Sequence, residues 1–370
     1  MLELEGKYGV AKVYAKELED GARGQIIELL NQDFIEGSTV RIMPDVHQGM
    51  GCVIGFTGEM GDKVIPNIVG VDIGCGMLTV ELGKQEINLP LLDDIISKKI
   101  PSGRGVHASR QHKYDQLQNL HVYKQLRDTR RMERSIGSLG GGNHFIEVGV
   151  DSQDNKFLVT HSGSRNLGNQ VAQIYQKLAI EQCNKKGSNK TYPNDLCYLT
   201  GESREHYLHD MKICQDYASV NRQVMANIIL ESLFEKDLDD FPHFETIHNY
   251  INFKDNIVRK GAISAYAGEK VLIPINMRDG SILAVGKGNK EWNYSAPHGA
   301  GRVLSRMAAK QELNFNHFKD SMKDVYSTSV NKRTLDESPE AYKPIEEILE
   351  HIGETVEVID IIKPIYNYKA

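Results

Sequence analysis

Short apolar runs interrupted by glycine set the rhythm of this chain. The first knot runs from Val40 to Gly58 (VRIMPDVHQGMGCVIGFTG) and the next from Pro66 to Leu82 (PNIVGVDIGCGMLTVEL). GSLGGGNHFIEVGV follows from Gly137, LVTHSGSRNLGN from Leu158 and SAPHGAGRVLSR from Ser295. Their apolar stretches are rich in Val, Ile, Phe and Thr and only a few residues long. They read as buried strands that deliver Gly-rich loops to one place. Between them the period changes. Leu167 to Gln182 predicts a helix with Leu167, Val171, Ile174 and Leu178 on its buried face. Further helices are predicted over Glu202–Phe234 and Pro344–His351, and a last strand over Glu354–Ala370 (ETVEVIDIIKPIYNYKA). The expected class is α+β, with mixed sheets and flanking helices around one core. No repeat or linker divides the chain, so residues 1–370 are expected to form a single domain.

Composition narrows this only a little. The chain has 370 residues, 40% hydrophobic and 25% charged, enough for a large core. Its formal net charge of −6 excludes a protein coated in positive charge, but a local basic groove could still meet phosphates. The opening MLELEGKYG lacks the apolar heart of a secretory leader, and no apolar run is long enough to span a bilayer. The five cysteines form no CxxC and no disulfide framework, which fits reduced thiols in the cytoplasm.

Chemistry concentrates in the glycine knots. Of 13 histidines, His206, His209, His243, His317 and His351 sit in polar surroundings and look idle. A lone histidine is ordinarily a satisfied structural residue. His47, His144, His161 and His298 are harder to dismiss, because small neighbours let ions and phosphates approach the backbone. His248 stands where a polar stretch turns apolar. Asp72 and Cys75 in DIGCG could aim a carboxylate and a thiolate at one point. With imidazoles, that O/S/N set suits a transition metal such as Mn, Fe, Co or Zn better than Ca or Mg. Without them, Cys75 is a small buried hydrophobe and Asp72 a turn-former.

No GxxxxGK[ST] and no HExxH occur, which disfavours P-loop NTPases and common zinc proteases. Thr160–Gly168 enters a predicted helix beside Arg165, a good anion site. His298 precedes Arg302 and Arg306, whose i, i+4 spacing predicts both guanidiniums on one helical face, next to a nucleophilic imidazole, although a surface helix start with a solvated basic face reads the same way. Arg104–Arg134 is rich in Arg, His and Lys and could track an RNA backbone, although Asp128 and Glu133 interrupt it and a solvated helix face has the same composition.

MPDVHQGMG, GVDIGCGM, GGGNHFIEV, HSGSRNLG, HN before VRKGA, and PHGAGRVLSR stand in the order found in the RtcB family of RNA-splicing ligases, and the chain resembles that family from about Val40 to Lys369. The resemblance implies two Mn²⁺ ions held by Asp72, Cys75, His144, His161 and His248, with the Cys75 thiolate shared. It implies that His298 carries GMP, donated by GTP, with Asp45 and Arg165 in the catalytic set. Nucleotide contacts are implied for Asn143, Phe145, Glu147, Asn249, Pro274, Met277, Ser281, Gly299, Ala300, Gly301, Tyr342 and Lys369. Arg165, Arg302 and Arg306 match RNA-phosphate arginines.

The reaction so implied opens a 2′,3′-cyclic phosphate to a 3′-phosphate, activates that end with GMP and joins it to a 5′-hydroxyl, in tRNA splicing or RNA repair. A neutral His298 must attack, so activity should fall at acid pH. Partners are RNA and GTP, with room for an activating protein and no membrane. The chain departs from its relatives at Pro274–Leu283 (PINMRDGSIL), where Met277 and Ser281 stay in register but Ile275, Asn276 and Arg278 replace small residues. That suggests a divergent paralogue. Two other readings are a dinuclear metallophosphoesterase that opens cyclic phosphates without ligation, and an RNA-end-binding protein that keeps the metal site as structure.

Overall fold

The computed structural model describes residues 1–184 and 192–369. Ala370, the last residue of the predicted terminal strand, lies outside them. Helices and mixed sheets make up the fold, as the α+β reading expects. One sheet has six strands, in the spatial order Leu2–Glu5, Val10–Val13, Val40–His47, Ile54–Glu59, Ile257–Lys260 and Asn249–Ile251. A second has seven: Lys270–Asn276, Gly280–Gly286, Val356–Lys369, Phe145–Val150, Lys156–Ser162, Gly76–Gly83 and His243–Ile247. Ala262–Ser264 pairs with Ser295–Pro297 in a short ribbon.

Side-chain alternation divides the faces of the seven-stranded sheet. Leu78, Val80, Ile146, Val148 and Leu158 point to one side, where they pack on Leu92 and Ile96 of the helix Leu89–Lys99 and on Met225, Ile229 and Leu230 of the helix Gly201–Phe234. Met77, Phe145, Val159, Leu272 and Ile362 cluster on the other. The largest core joins the six-stranded sheet to the helices Asp20–Leu30, Arg165–Cys183 and Gly201–Phe234.

The predicted helices form over Arg165–Cys183, Gly201–Phe234 and Ile345–Ile352. In the first, the buried stripe is Leu167, Val171, Tyr175 and Ala179, while Ile174 and Leu178 sit at its edge. Tyr175 wins the central position because its ring packs on Tyr207 and its hydroxyl donates to buried Asp210 at 2.9 Å. The expectation that Arg302 and Arg306 share a helical face fails. The helix begins only at Arg306, capped by the Ser305 hydroxyl on Ala308 N, and Val303 N donates to Ala341 O before it. A bridge to Tyr342 holds Arg302, and the amides of Val303 and Leu304 are spent on Ala341 O, so this bent stretch does not join the helix.

Among the described residues, no helix is long and apolar enough to cross a membrane.

Candidate active site

Strand register brings the predicted ligands together. Gly76 faces Ser162 on one side and Ile247 on the other, and Phe145 faces His161. Cys75, His144, His161 and His248 therefore collect at one end of four adjacent strands. His248 N donates to Cys75 O at 2.9 Å, fixing the last of them against the first.

The side chains converge. Cys75 Sγ lies 3.4 Å from both His144 Nε2 and His161 Nε2, and His161 Nε2 lies 3.4 Å from His248 Nε2. Asp72 Oδ2 is 3.0 Å from His144 Nε2. These atoms form two metal-capable groups, Cys75–His161–His248 and Asp72–Cys75–His144, with Cys75 common to both. Separations of this size are those between ligands about 2.0–2.3 Å from a shared transition metal.

The surrounding bonds favour ligation. His144 Nδ1 donates to Leu139 O at 2.8 Å, leaving Nε2 as the ligand nitrogen. Burial, then His248 beside His161 and His298 beside His248, hold both imidazoles well below their ordinary range, so both are neutral. Burial, then Asp72, raise the Cys75 thiol well above its usual value, so a metal binding there would displace its proton. Burial also pushes Asp72 up, but nearby His144 and Arg165 outweigh it and hold the carboxyl below its ordinary range.

Two residues of the long helix hold the ligand loops. Arg222 Nη1 donates to Gly74 O and Ser162 O, both at 2.8 Å, and Asn221 Nδ2 donates to Ser138 O, Ser162 Oγ and Gly163 O. Gly163 must lack a side chain, since a Cβ there would lie 2.1 Å from Asp72 Oδ1.

His298 follows the Ser295–Pro297 strand and meets Asp45 across from it. Asp45 Oδ2 accepts from His298 Nδ1 at 2.6 Å, His298 N at 3.1 Å and Gly299 N at 3.2 Å. The carboxylate is fully buried, and it fixes the imidazole as the Nδ1–H tautomer. Gly301 permits this contact, because at φ +76° a Cβ would sit 2.6 Å from Asp45 O. The His298 and His248 rings lie 4.9 Å apart, which sets the nucleophile candidate beside the metal-capable cluster.

Beyond His298 opens a cleft of about 920 Å³, counting its mouth. Asn143, Phe145, Glu147, Pro274, Met277, Gly299, Ala300, Gly301, Tyr342 and Lys369 line it, as do Arg302 and Arg306. Glu147 is buried, Asn367 Nδ2 donates to its Oε2 at 2.7 Å, and Glu147 Oε1 and Asn367 Oδ1 have no partner among the described residues; the same holds for Ser281 Oγ, which is buried outside the residues that line the cleft. Burial lifts Glu147 to about 8. Asn249 is instead committed to backbone, accepting from Gly261 N at 2.9 Å and donating to Asp72 O. Arg165 lies beside Asp72, outside the residues that line the cleft. Its guanidinium donates to Ser138 Oγ and Gly103 O, and its backbone takes a left-handed φ of 56°.

Sequence reasoning missed Asn367, Glu337 and the lining role of His47. Glu337 Oε2 accepts from Lys369 Nζ at 2.5 Å and Tyr342 Oη at 2.8 Å, and its Oε1 takes Arg306 at 2.5 Å. Burial pushes Glu337 up, but Lys369 and Arg306 outweigh it and hold the carboxyl at about 2. Arg302 and Arg306 are thus already paired, Arg302 with Asp336 O and Tyr342 Oη, Arg306 with Asp336 and Glu337. The replaced loop residues serve the hairpin: Ile275 is buried, Asn276 Oδ1 caps the turn at Arg278 N and Asp279 N, and Arg278 pairs with Asp279.

The family model described as tRNA-splicing ligase RtcB matches residues 25–370. The chain is 31% identical to the RNA-splicing ligase RtcB of Escherichia coli strain K12, over 95% of each chain. It is 29% identical to the tRNA-splicing ligase RtcB of Aeropyrum pernix, covering 83% of this chain and 82% of that one. With the tRNA-splicing ligase RtcB of Thermococcus kodakarensis it shares 27% identity, over 85% of this chain and 83% of the relative. With the family model covering nearly the whole chain and 31% identity to the Escherichia coli relative over 95% of it, the chain belongs to the RtcB family.

Proposed function

We propose that the chain is a GTP- and Mn²⁺-dependent RNA ligase that joins 3′-phosphate or 2′,3′-cyclic phosphate ends to 5′-hydroxyl ends through guanylylated His298, acting as one domain in tRNA splicing or RNA repair. The observation that carries this reading is the buried Asp45 carboxylate on His298 Nδ1. It leaves Nε2 as the unprotonated nitrogen of a cleft-lining imidazole. His298 Nε2 forms a bond to the α-phosphorus of GTP as the bond to pyrophosphate breaks, and Asp45 balances the positive charge that develops on the ring. The RNA 3′-phosphate then takes GMP from His298, breaking the P–N bond. Attack of the 5′-hydroxyl on the RNA-side phosphorus finally releases GMP and closes the phosphodiester.

Asp72, Cys75, His144, His161 and His248 would hold the metal, which when bound neutralises phosphate charge beside His298. The unpartnered acceptors Glu147 Oε1 and Asn367 Oδ1 suit the N1–H and N2–H donors of guanine, a pair adenine lacks.

The test offers an RNA with a cyclic phosphate end and one with a 5′-hydroxyl, together with Mn²⁺ and GTP. Joined product that vanishes in His298→Ala supports the ligase. Opening of the cyclic phosphate with no joining at any metal concentration would establish the phosphoesterase instead.

A further inference from the structure

Away from the active site, three histidines from distant parts of the sequence meet on the surface. His206 and His209 lie on the Gly201–Phe234 helix, and with Glu202 and Asp210 they fall at i, i+4, i+7 and i+8 along one face. His121 arrives from the Arg104–Arg134 segment. Its ring stacks on His206 with centroids 3.7 Å apart and an interplanar angle of 19°, and lies 4.8 Å from the His209 ring. His121, His209 and Asp210 offer ligand atoms within 4.8 Å of one another.

Asp210 gives this cluster a built floor. It is fully buried, and its oxygens accept from His121 N at 2.9 Å, His209 Nδ1 at 3.0 Å, Val122 N at 3.2 Å and Tyr175 Oη at 2.9 Å. Those bonds occupy the carboxylate, so it acts as an orienting group. It fixes His209 as the Nδ1–H tautomer and turns Nε2 outward, the carboxylate–histidine arrangement found behind metal ligands. Glu202 Oε1, 3.8 Å from His206 Nε2, adds an acid at the rim.

We propose that His121 and His209, backed by Asp210 and with His206 stacked on His121 at the rim, form a second metal site, separate from the catalytic cluster and selective for an imidazole-preferring divalent cation such as Zn²⁺ over Mn²⁺. Its effect is to staple the basic Arg104–Arg134 segment to the long helix. That segment already meets the long helix through Tyr114 Oη on Ile213 O and Tyr217 Oη on Met132 O, and beside His121 through the Asp210 carboxylate on His121 N and Val122 N. A bound ion would add side-chain ligation at His121 to that hold.

The test dialyses the full-length protein and His121→Ala/His206→Ala against the same low free Zn²⁺ and measures zinc per chain. Both substituted side chains are at least partly exposed, so the variant is expected to fold. Wild type should retain one more zinc per chain than the variant, with equal guanylylation when both are reloaded with Mn²⁺. Zinc should also slow trypsin cleavage within residues 104–134 in the wild type only. Equal zinc content in the two proteins, or zinc protection that survives the substitutions, would overturn the proposal.

Discussion

At His298 one carboxylate decides which ring nitrogen can react. Asp45 accepts from Nδ1 and from two backbone amides, so Asp45→Asn keeps the shape but loses the charge that fixes the tautomer and offsets the phosphorylated ring. The guanylylation rate should fall by ~10²-fold or more while GTP still binds, as read by single-turnover labelling and a binding isotherm. Glu147 makes a different prediction. It sits at about 8, protonated at neutral pH, and must lose its proton to accept from guanine. GTP binding should therefore tighten as pH rises, by at most about tenfold per unit, and level off above about 8. Glu147→Gln should flatten that profile and erode the preference for GTP over ATP; a profile unchanged by the substitution would contradict the assignment. His298 and the ligand set were legible because glycine knots and ordered motifs mark them. Asn367 was not, because in NYK it reads as one more polar position of an alternating strand.

The long helix Gly201–Phe234 does for the site what no loop could do alone. Arg222 donates to the carbonyls of Gly74 and Ser162, beside Asp72, Cys75 and His161, and pairs with Glu245 at 3.2 Å. Arg222→Met leaves Glu245 with Ser219 alone and frees both loops. It should cost about 3–5 kcal/mol in denaturant unfolding and lower bound Mn²⁺. The sequence predicts this helix from its period, but not which of its polar residues turn inward. Asn221 and Arg222 look like solvated positions until the ligand loops pack on them, and Asp210 until His121, Val122 and Tyr175 do. The same blindness applied to Arg302 and Arg306, whose spacing suggested a helix where a bridge to Tyr342 holds the first of them outside it.

Across the molecule, two sheets contribute to one centre: Asp45 comes from the six-stranded sheet, and the cysteine and histidine cluster from the end of the seven-stranded one. An ion bound there ties distant elements only in the folded state, so Mn²⁺ at about 100 times its dissociation constant should add ~2.7 kcal/mol of stability. Chelation should lower the melting temperature of the wild type, and Cys75→Ala should be indifferent to it. The central claim, that His298 carries the nucleotide, is tested most directly by incubating the protein with Mn²⁺ and α-labelled GTP, denaturing it and mapping the adduct by mass spectrometry. The account predicts one phosphoramidate-linked GMP on His298, absent in His298→Ala; label on another residue, or label that persists in that variant, would contradict it.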